Sequence, residues 1–213
     1  MVLGMYSLWS ARRHLKLTLV RAFGPGSEAW DQAEPMRYRS ALGLLVLSVG
    51  FMGVFLWGAG APLWLVVVYL WLYLTPTIGI SRLRAELGAP ANEIHFTAPQ
   101  HILTQLVGPG AFPLRALTVL TVFAWTSRSF GTDPTPFQIE GFKLAEGTRL
   151  NTRPLTGAMV IAVLAGLLAW YVALLSPLYR LGADSSKLWY DVGHASSAFA
   201  ELQNWATAVP RGA

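Results

Sequence analysis

The sequence predicts an all-α, polytopic integral membrane protein. Of its 213 residues, 54% are hydrophobic and only 13% are charged, about half the roughly 25% charged share of soluble domains. Two apolar stretches, 41–58 and 62–80, follow each other closely, and a third extends over 155–179. Each is long enough for an α-helix to cross about 30 Å of hydrocarbon. We therefore expect three transmembrane helices.

The N-terminal residues 1–20 begin apolar and turn basic after Trp9. A signal peptide carries its charges before the apolar core and ends in a small-residue cleavage site, and neither feature is present. Nine helical residues extend about 14 Å, half of a bilayer core. The segment is predicted to be a partial or interfacial helix. A polar connector then leads to the two adjacent apolar stretches. The Gly/Pro turn between them is so short that their helices are expected to form an antiparallel hairpin.

The distribution of basic residues predicts the topology. Six of the 16 Lys and Arg lie in 1–40, seven in 81–153 and three in 178–213, with none in the hairpin turn. Lys and Arg concentrate on the cytoplasmic side of a membrane protein. We therefore expect a multi-pass protein of the cell (inner) membrane, with the N-terminus and 81–153 cytoplasmic. The hairpin turn and the tail, 180–213, are then non-cytoplasmic.

The segment 81–153 begins and ends on one side, so it crosses the membrane twice or not at all. Its apolar parts, of six and twelve residues on either side of a Gly/Pro break at 108–113, are too short to cross. Residues 100–127 are therefore predicted to be a re-entrant helical hairpin or a pair of short helices. Irregular backbone at membrane depth needs shelter from lipid, which implies further helices around it. Residues 137–150 read as an amphipathic cytoplasmic helix.

The candidate site centres on the tip of that predicted hairpin. Arg115 follows the break that contains Gly108 and Gly110, and it opens the second short helix. A buried arginine at membrane depth needs an anion, and a half-helix N-terminus adds its own positive dipole, as in transporters that hold anionic substrates. This pattern favours a substrate-binding site. The alternative is a shallow loop from which Arg115 reaches water.

The polar segment after the hairpin supplies further candidate residues. Arg82, Arg84 and Glu86 stand at positions i, i+2 and i+4, so on a helix Arg82 and Glu86 share a face and can pair. One arginine turned into the bundle would hold an anionic group, and the alternative is a pair of charges anchoring the span at the headgroups. Glu93 and His95 are candidates for a proton relay or for structural hydrogen bonds.

Several function classes lack their motifs. There is no Cys, no metal-binding His-Glu-x-x-His pattern, no nucleophile triad and no phosphate-binding or dinucleotide loop. We therefore expect no enzyme activity, no metal and no cofactor. The cations flank apolar runs instead of forming one solvated basic face with aromatics, so nucleic acid is not an expected partner.

Four short motifs resemble a known family. They are EPMRYR at 34–39, RLRAELG at 82–88, FKLA at 142–145 and LQNW at 202–205. In this order they resemble an uncharacterised family of prokaryotic multi-pass membrane proteins, a domain of unknown function whose members are sometimes labelled peptide-transporter-like. Those proteins are several times longer, so the resemblance implies a partial, C-terminal-half member. No functional residue carries over from it.

Two functions are therefore expected. The first is part of a secondary-transporter-like protein, with its site at the predicted tip and the polar segment nearby. The alternative is a non-catalytic structural or accessory subunit that packs against a larger membrane complex. Either way the expected partners are the lipid bilayer and other membrane subunits or a missing N-terminal half, because three spans are too few to enclose a transport pathway.

Overall fold

The structure, a computed structural model, describes residues 1–24, 34–88, 98–124, 133–182, 185 and 189–208. These residues form α-helices and one 3₁₀ turn, and there is no strand among them. The helices are α1 Val2–Ser10, α2 Arg12–Phe23, α3 Tyr38–Gly58, α4 Leu63–Leu87, α5 Pro99–Val107, α6 Leu114–Val122, α7 Pro134–Thr148, α8 Thr152–Leu181 and α9 Trp189–Ala208, with the 3₁₀ turn at Pro109–Ala111 between α5 and α6.

Among the helices that the structure describes, three are long and apolar enough to cross a membrane. They are α3 with 21 residues, α4 with 25 and α8 with 30. The predicted all-α membrane fold with three such helices is thereby confirmed. All three helices extend beyond their predicted bounds at one end or both. Because α4 continues to Leu87, the polar residues after position 80 lie on its last two turns.

Helix α4 is the centre of the fold. Half of its apolar window is buried, against 6% for α3 and none for α8. Helices α1, α3, α5 and α7 all contact α4. The apolar core runs along α4 through Leu65, Tyr69 and Leu72, and it includes Leu117 and Leu120 of α6. The fold is thus built around α4, whereas α3 and α8 are exposed along most of their length.

Helices α1 and α4 cross at very short range through small residues. Gly4 and Ser7 are the buried residues of α1. A Cβ added to Gly4 would overlap the carbonyl of Thr75, and one added to Gly79 would lie 3.1 Å from the Gly4 nitrogen. The predicted interfacial segment is therefore two helices, the first of which packs against the second predicted span.

Pro76 lies inside α4, where it removes one backbone hydrogen bond. The threonines on either side donate to nearby carbonyls. The Thr75 hydroxyl bonds the Trp71 oxygen at 2.7 Å, and the Thr77 hydroxyl bonds the Tyr73 oxygen at 3.1 Å. Buried hydroxyls are therefore satisfied within the helix, as neighbouring Ser and Thr side chains commonly do around a proline in an apolar helix.

Helices α5 and α6 form a short helical hairpin of nine residues each. Gly108 ends α5 with φ +84°, a conformation that favours glycine. The tip lies beside the turn between α3 and α4, because Phe112 stacks on Trp64 with ring centroids 5.7 Å apart. From there α6 runs back along α4 to Tyr69, whose hydroxyl donates to the Phe123 carbonyl at 3.4 Å.

Helices α7 and α9 lie at the two ends of α4. Helix α7 begins at an Asp133 cap, whose carboxylate accepts from the Thr135 amide at 2.9 Å, and it packs along the last turns of α4. Helix α9, within the predicted tail, contacts the tip and α6 instead. Its Leu202 and Trp205 pack on the apolar core.

Candidate functional site

The most completely enclosed charge that the structure describes is Arg84 on α4. Only 9% of this residue is exposed. Its Nε donates to Oε2 of Glu140 on α7 at 2.6 Å. The guanidinium lies over the ring of Phe137, 4.0 Å from the centroid. Two side chains from one turn of α7 thus surround one cation of α4, and we call this group the Arg84 cluster.

Helical geometry separates the arginines of α4 onto two faces. Ser81 and Arg84 are buried together, three residues apart. Arg82 points away and donates to Oε1 of Glu86 at 2.7 Å, with 33% and 60% of the two side chains exposed. The predicted pairing on one helix face is confirmed. One arginine does turn into the bundle, and the anion that it holds is Glu140.

A second ion pair on α7 contrasts with the buried one. The ammonium of Lys143 donates to Glu146 at 2.9 Å, and both side chains are exposed. This contact lowers the pKa of the Glu146 carboxyl below its usual range and raises the pKa of Lys143. Exposed pairs contribute little to stability, and this one lies within a single helix. The Arg84 cluster instead joins two helices through a buried cation.

Arg115 lies at the opposite end of α4. It is exposed, and its Cβ is 3.5 Å from where a Cβ on Gly60 would stand in the turn between α3 and α4. Among the described residues no carboxylate lies within ion-pair distance of it. The tip is therefore level with the end of a membrane-length helix, where an arginine can reach water or headgroups. Arg115 is exposed, as the shallow alternative expects, but it lies beside the α3–α4 turn and not at the polar end of α4, where a shallow loop of the predicted cytoplasmic segment would lie.

The predicted site residues are consequently not brought together. The tip, with Gly108, Gly110 and Arg115, and the polar end, with Arg82, Arg84 and Glu86, are separated by most of α4, about 30 Å at 1.5 Å per residue. Glu93 and His95 lie outside the described residues. The structure thus shows two polar regions, one at each end of the core helix.

The sequence analysis did not predict the contacts that join α4 to α7 and α5 to α9. Glu140 and Phe137 belong to the predicted amphipathic helix, but nothing local assigns them to an arginine 56 residues earlier. The spacing of three between them, on one helix face, is the available signal. His101 of α5 was likewise not assigned to Glu201 of α9, although the Nδ1 to Oε1 distance is 3.6 Å.

The Arg84 cluster and the contact between His101 and Glu201 each join two helices. The gap beside α6 is lined by apolar side chains, among them Leu56, Tyr69 and Leu120, and it has room for about one water molecule. Within the described residues there is no group of three His, Cys, Asp or Glu placed to hold a metal ion. The charged groups of the Arg84 cluster bind each other, so the chemistry shown is recognition between helices.

Fold and site together define a helical protein with three helices of membrane-spanning length and a shielded ion pair at one end of its central helix. The chain belongs to the Family of unknown function (DUF6785), whose match covers residues 1–212. No curated protein and no solved structure shows significant similarity to it.

Proposed function

We propose that this chain is a non-catalytic, membrane-embedded part of a larger helical assembly. The observation that carries the proposal is the exposure of α8, whose apolar window has no buried residue. A helix that faced lipid on every side would have no reason to sort its side chains by size. Helix α8 does sort them.

Six small residues of α8 between positions 158 and 173 share one face. At 100° per residue they fall within an arc of about 100°. They are Ala158, Ala162, Ala165, Gly166, Ala169 and Ala173. The opposite side carries large residues such as Leu164, Leu167 and Tyr171, all exposed. We call the first set the α8 small face.

A small face lets two helix backbones approach closely, which is the main source of association between helices in lipid. This chain uses the same device internally, where Gly4 of α1 meets Thr75 and Gly79 of α4. The α8 small face is unused in the described residues, so we assign it to a transmembrane helix from elsewhere in the assembly, in the inner membrane.

The mass of the native assembly tests this proposal. Complexes released from membranes into lipid nanodiscs are expected to have a fixed mass well above one 23.3 kDa chain. Ala162→Phe and Ala169→Phe are expected to dissociate the complex, because each ring fills the small face. Leu164→Phe and Leu167→Phe are matched controls on the opposite side and are expected to leave the mass unchanged.

A lone monomer or a homodimer in the wild type would contradict the proposal. Equal effects of the two pairs of substitutions would also contradict it, because the large residues would then matter as much as the small face.

The second candidate is a transporter-like role, favoured by two interrupted helical elements. Helix α4 contains Pro76, and α5 and α6 are short helices broken at Gly108. Transporters build substrate sites from such discontinuous helices. One exposed face of α6 includes Arg115 in its first turn, then Thr118, and Val122 at its end.

Cysteine labelling separates the two candidates, because the chain has no Cys of its own. If a water-filled path follows α6, Thr118→Cys and Val122→Cys react in membranes with a water-soluble maleimide as Arg115→Cys does. If only Arg115→Cys reacts, that face lies against lipid or another helix, and the transporter-like role fails at this site.

A further inference from the structure

Two aromatic rings lie between two cations along one side of the polar end of α4. The Arg12 guanidinium lies 4.0 Å from the centroid of the Trp9 ring. The Trp9 and Tyr6 rings are 6.4 Å apart, and the Arg82 guanidinium lies 5.6 Å from the Tyr6 centroid. These four side chains form a continuous row, which we call the Arg12–Arg82 ladder.

The ladder joins two parts of the chain that are far apart in sequence. Tyr6, Trp9 and Arg12 belong to the α1–α2 junction, and Arg82 belongs to α4. The close crossing at Gly4 and Gly79 holds α1 against α4, so the row is fixed by backbone packing. Its rings are open, with 54% of Tyr6 and 62% of Trp9 exposed.

The surroundings of the ladder are basic. Helix α2 carries no acidic residue, and its Arg13 and Lys16 are exposed beside Arg12. The carboxylate that opposes the row is Glu86, which pairs with Arg82. Arg37 and Arg39, also exposed, precede the apolar part of α3 at the same end of the hairpin.

We propose that the Arg12–Arg82 ladder, with Arg13 and Lys16, binds the phosphate headgroups of anionic phospholipids. Guanidinium groups bind phosphate oxygens through two parallel hydrogen bonds. Trp and Tyr rings favour the boundary between hydrocarbon and headgroups. The ladder lies where the apolar part of α4 ends, so both kinds of side chain meet the layer that they match.

A lipid explains more of the ladder than a dissolved anion does. A soluble phosphate would use the cations but would leave the exposed rings, and the apolar side chains Leu3 and Leu8 near them, in water. A phospholipid supplies the phosphate and, directly beneath it, the acyl chains that cover such surfaces. The inference does not depend on the assembly proposed above, because it concerns the other end of the chain and a different ligand.

Binding of phosphatidylglycerol to the purified full chain tests the proposal. Native mass spectrometry in detergent measures its affinity, with phosphatidylcholine as the neutral reference. Each basic residue near an anionic surface contributes about fivefold. Arg12→Gln and Arg82→Gln are therefore each expected to weaken phosphatidylglycerol binding about fivefold, and the double variant roughly 25-fold. Phosphatidylcholine binding is expected to stay unchanged.

Two further variants keep the test independent of folding. Arg115→Gln removes an exposed arginine at the other end of α4 and is the matched control, expected to bind as the wild type does. Glu86→Gln releases Arg82 from its pair and is expected to strengthen phosphatidylglycerol binding, a gain that a merely unfolded protein cannot show.

Three results would overturn the proposal. The first is unchanged binding in the double variant, and the second is an equal loss in the Arg115→Gln control. The third is full competition by soluble glycerol 3-phosphate, which would make the ladder a site for free phosphate and not for a membrane lipid.

Discussion

At the scale of single residues, Arg84 shows how neighbouring charges acquire different roles. Arg82 and Arg84 are two positions apart, so α4 turns one outwards to Glu86 and the other inwards to Glu140. Sequence predicts the separation, because it follows from 100° per residue. Which arginine faces the protein depends on where α7 packs, and no local pattern contains that information.

Removing the anion from the Arg84 cluster is expected to destabilise the fold. Breaking a buried pair costs about 3–5 kcal/mol. Glu140 is 32% exposed, so we expect about 2 kcal/mol for Glu140→Gln, between that range and the value for surface pairs. Thermal unfolding in a mild detergent measures the change.

Glu146→Gln is the control on the same helix. Its pair with Lys143 is exposed, and we expect no measurable change at neutral pH. Because the folded pKa of Glu146 is lowered, whatever the pair contributes is present above its unfolded pKa and is lost as the pH falls through the folded value. Equal destabilisation by the two substitutions would show that burial of Arg84 has no energetic consequence.

At the scale of helices, hydropathy predicts which segments are long enough to cross a membrane. The contacts between helices cannot be predicted from it. The number of apolar residues needed to cross a bilayer is set by its thickness, so α3, α4 and α8 follow from composition alone. The docking of α1 on α4 depends on Gly4 meeting Gly79 across 75 residues of sequence. The position of the α5–α6 tip beside the α3–α4 turn could not be predicted, because length alone does not show which end of α4 it meets.

The α1–α4 crossing is expected to tolerate no side chain at Gly4. Gly4→Val would place its Cβ in the Thr75 carbonyl and force the helices apart, at a cost of about 1–3 kcal/mol for overpacking. Gly50→Val, on α3, is the control, since a Cβ there has nothing within 4 Å. Thermal unfolding compares them, and similar losses would argue against a tight crossing.

At the scale of the whole molecule, the two ends of the α3–α4 hairpin are expected on opposite sides of the membrane. The charge distribution predicts that the turn lies outside and α7 inside. Ala59→Cys, in the exposed turn, should react with an impermeant maleimide in intact cells, whereas Lys143→Cys, exposed on α7, should react only in inverted vesicles. The wild type, which has no Cys, is the blank. Labelling of both from one side would refute this topology.

The Arg84–Glu140 pair sets an order of events during synthesis. The two residues are 56 positions apart, so the arginine leaves the ribosome first. At a synthesis rate of about 5–20 residues per second, Glu140 follows Arg84 roughly 3–11 seconds later. During that interval we expect the charge of Arg84, just past the apolar part of α4, to retain the end of the helix among lipid headgroups until α7 arrives to enclose it.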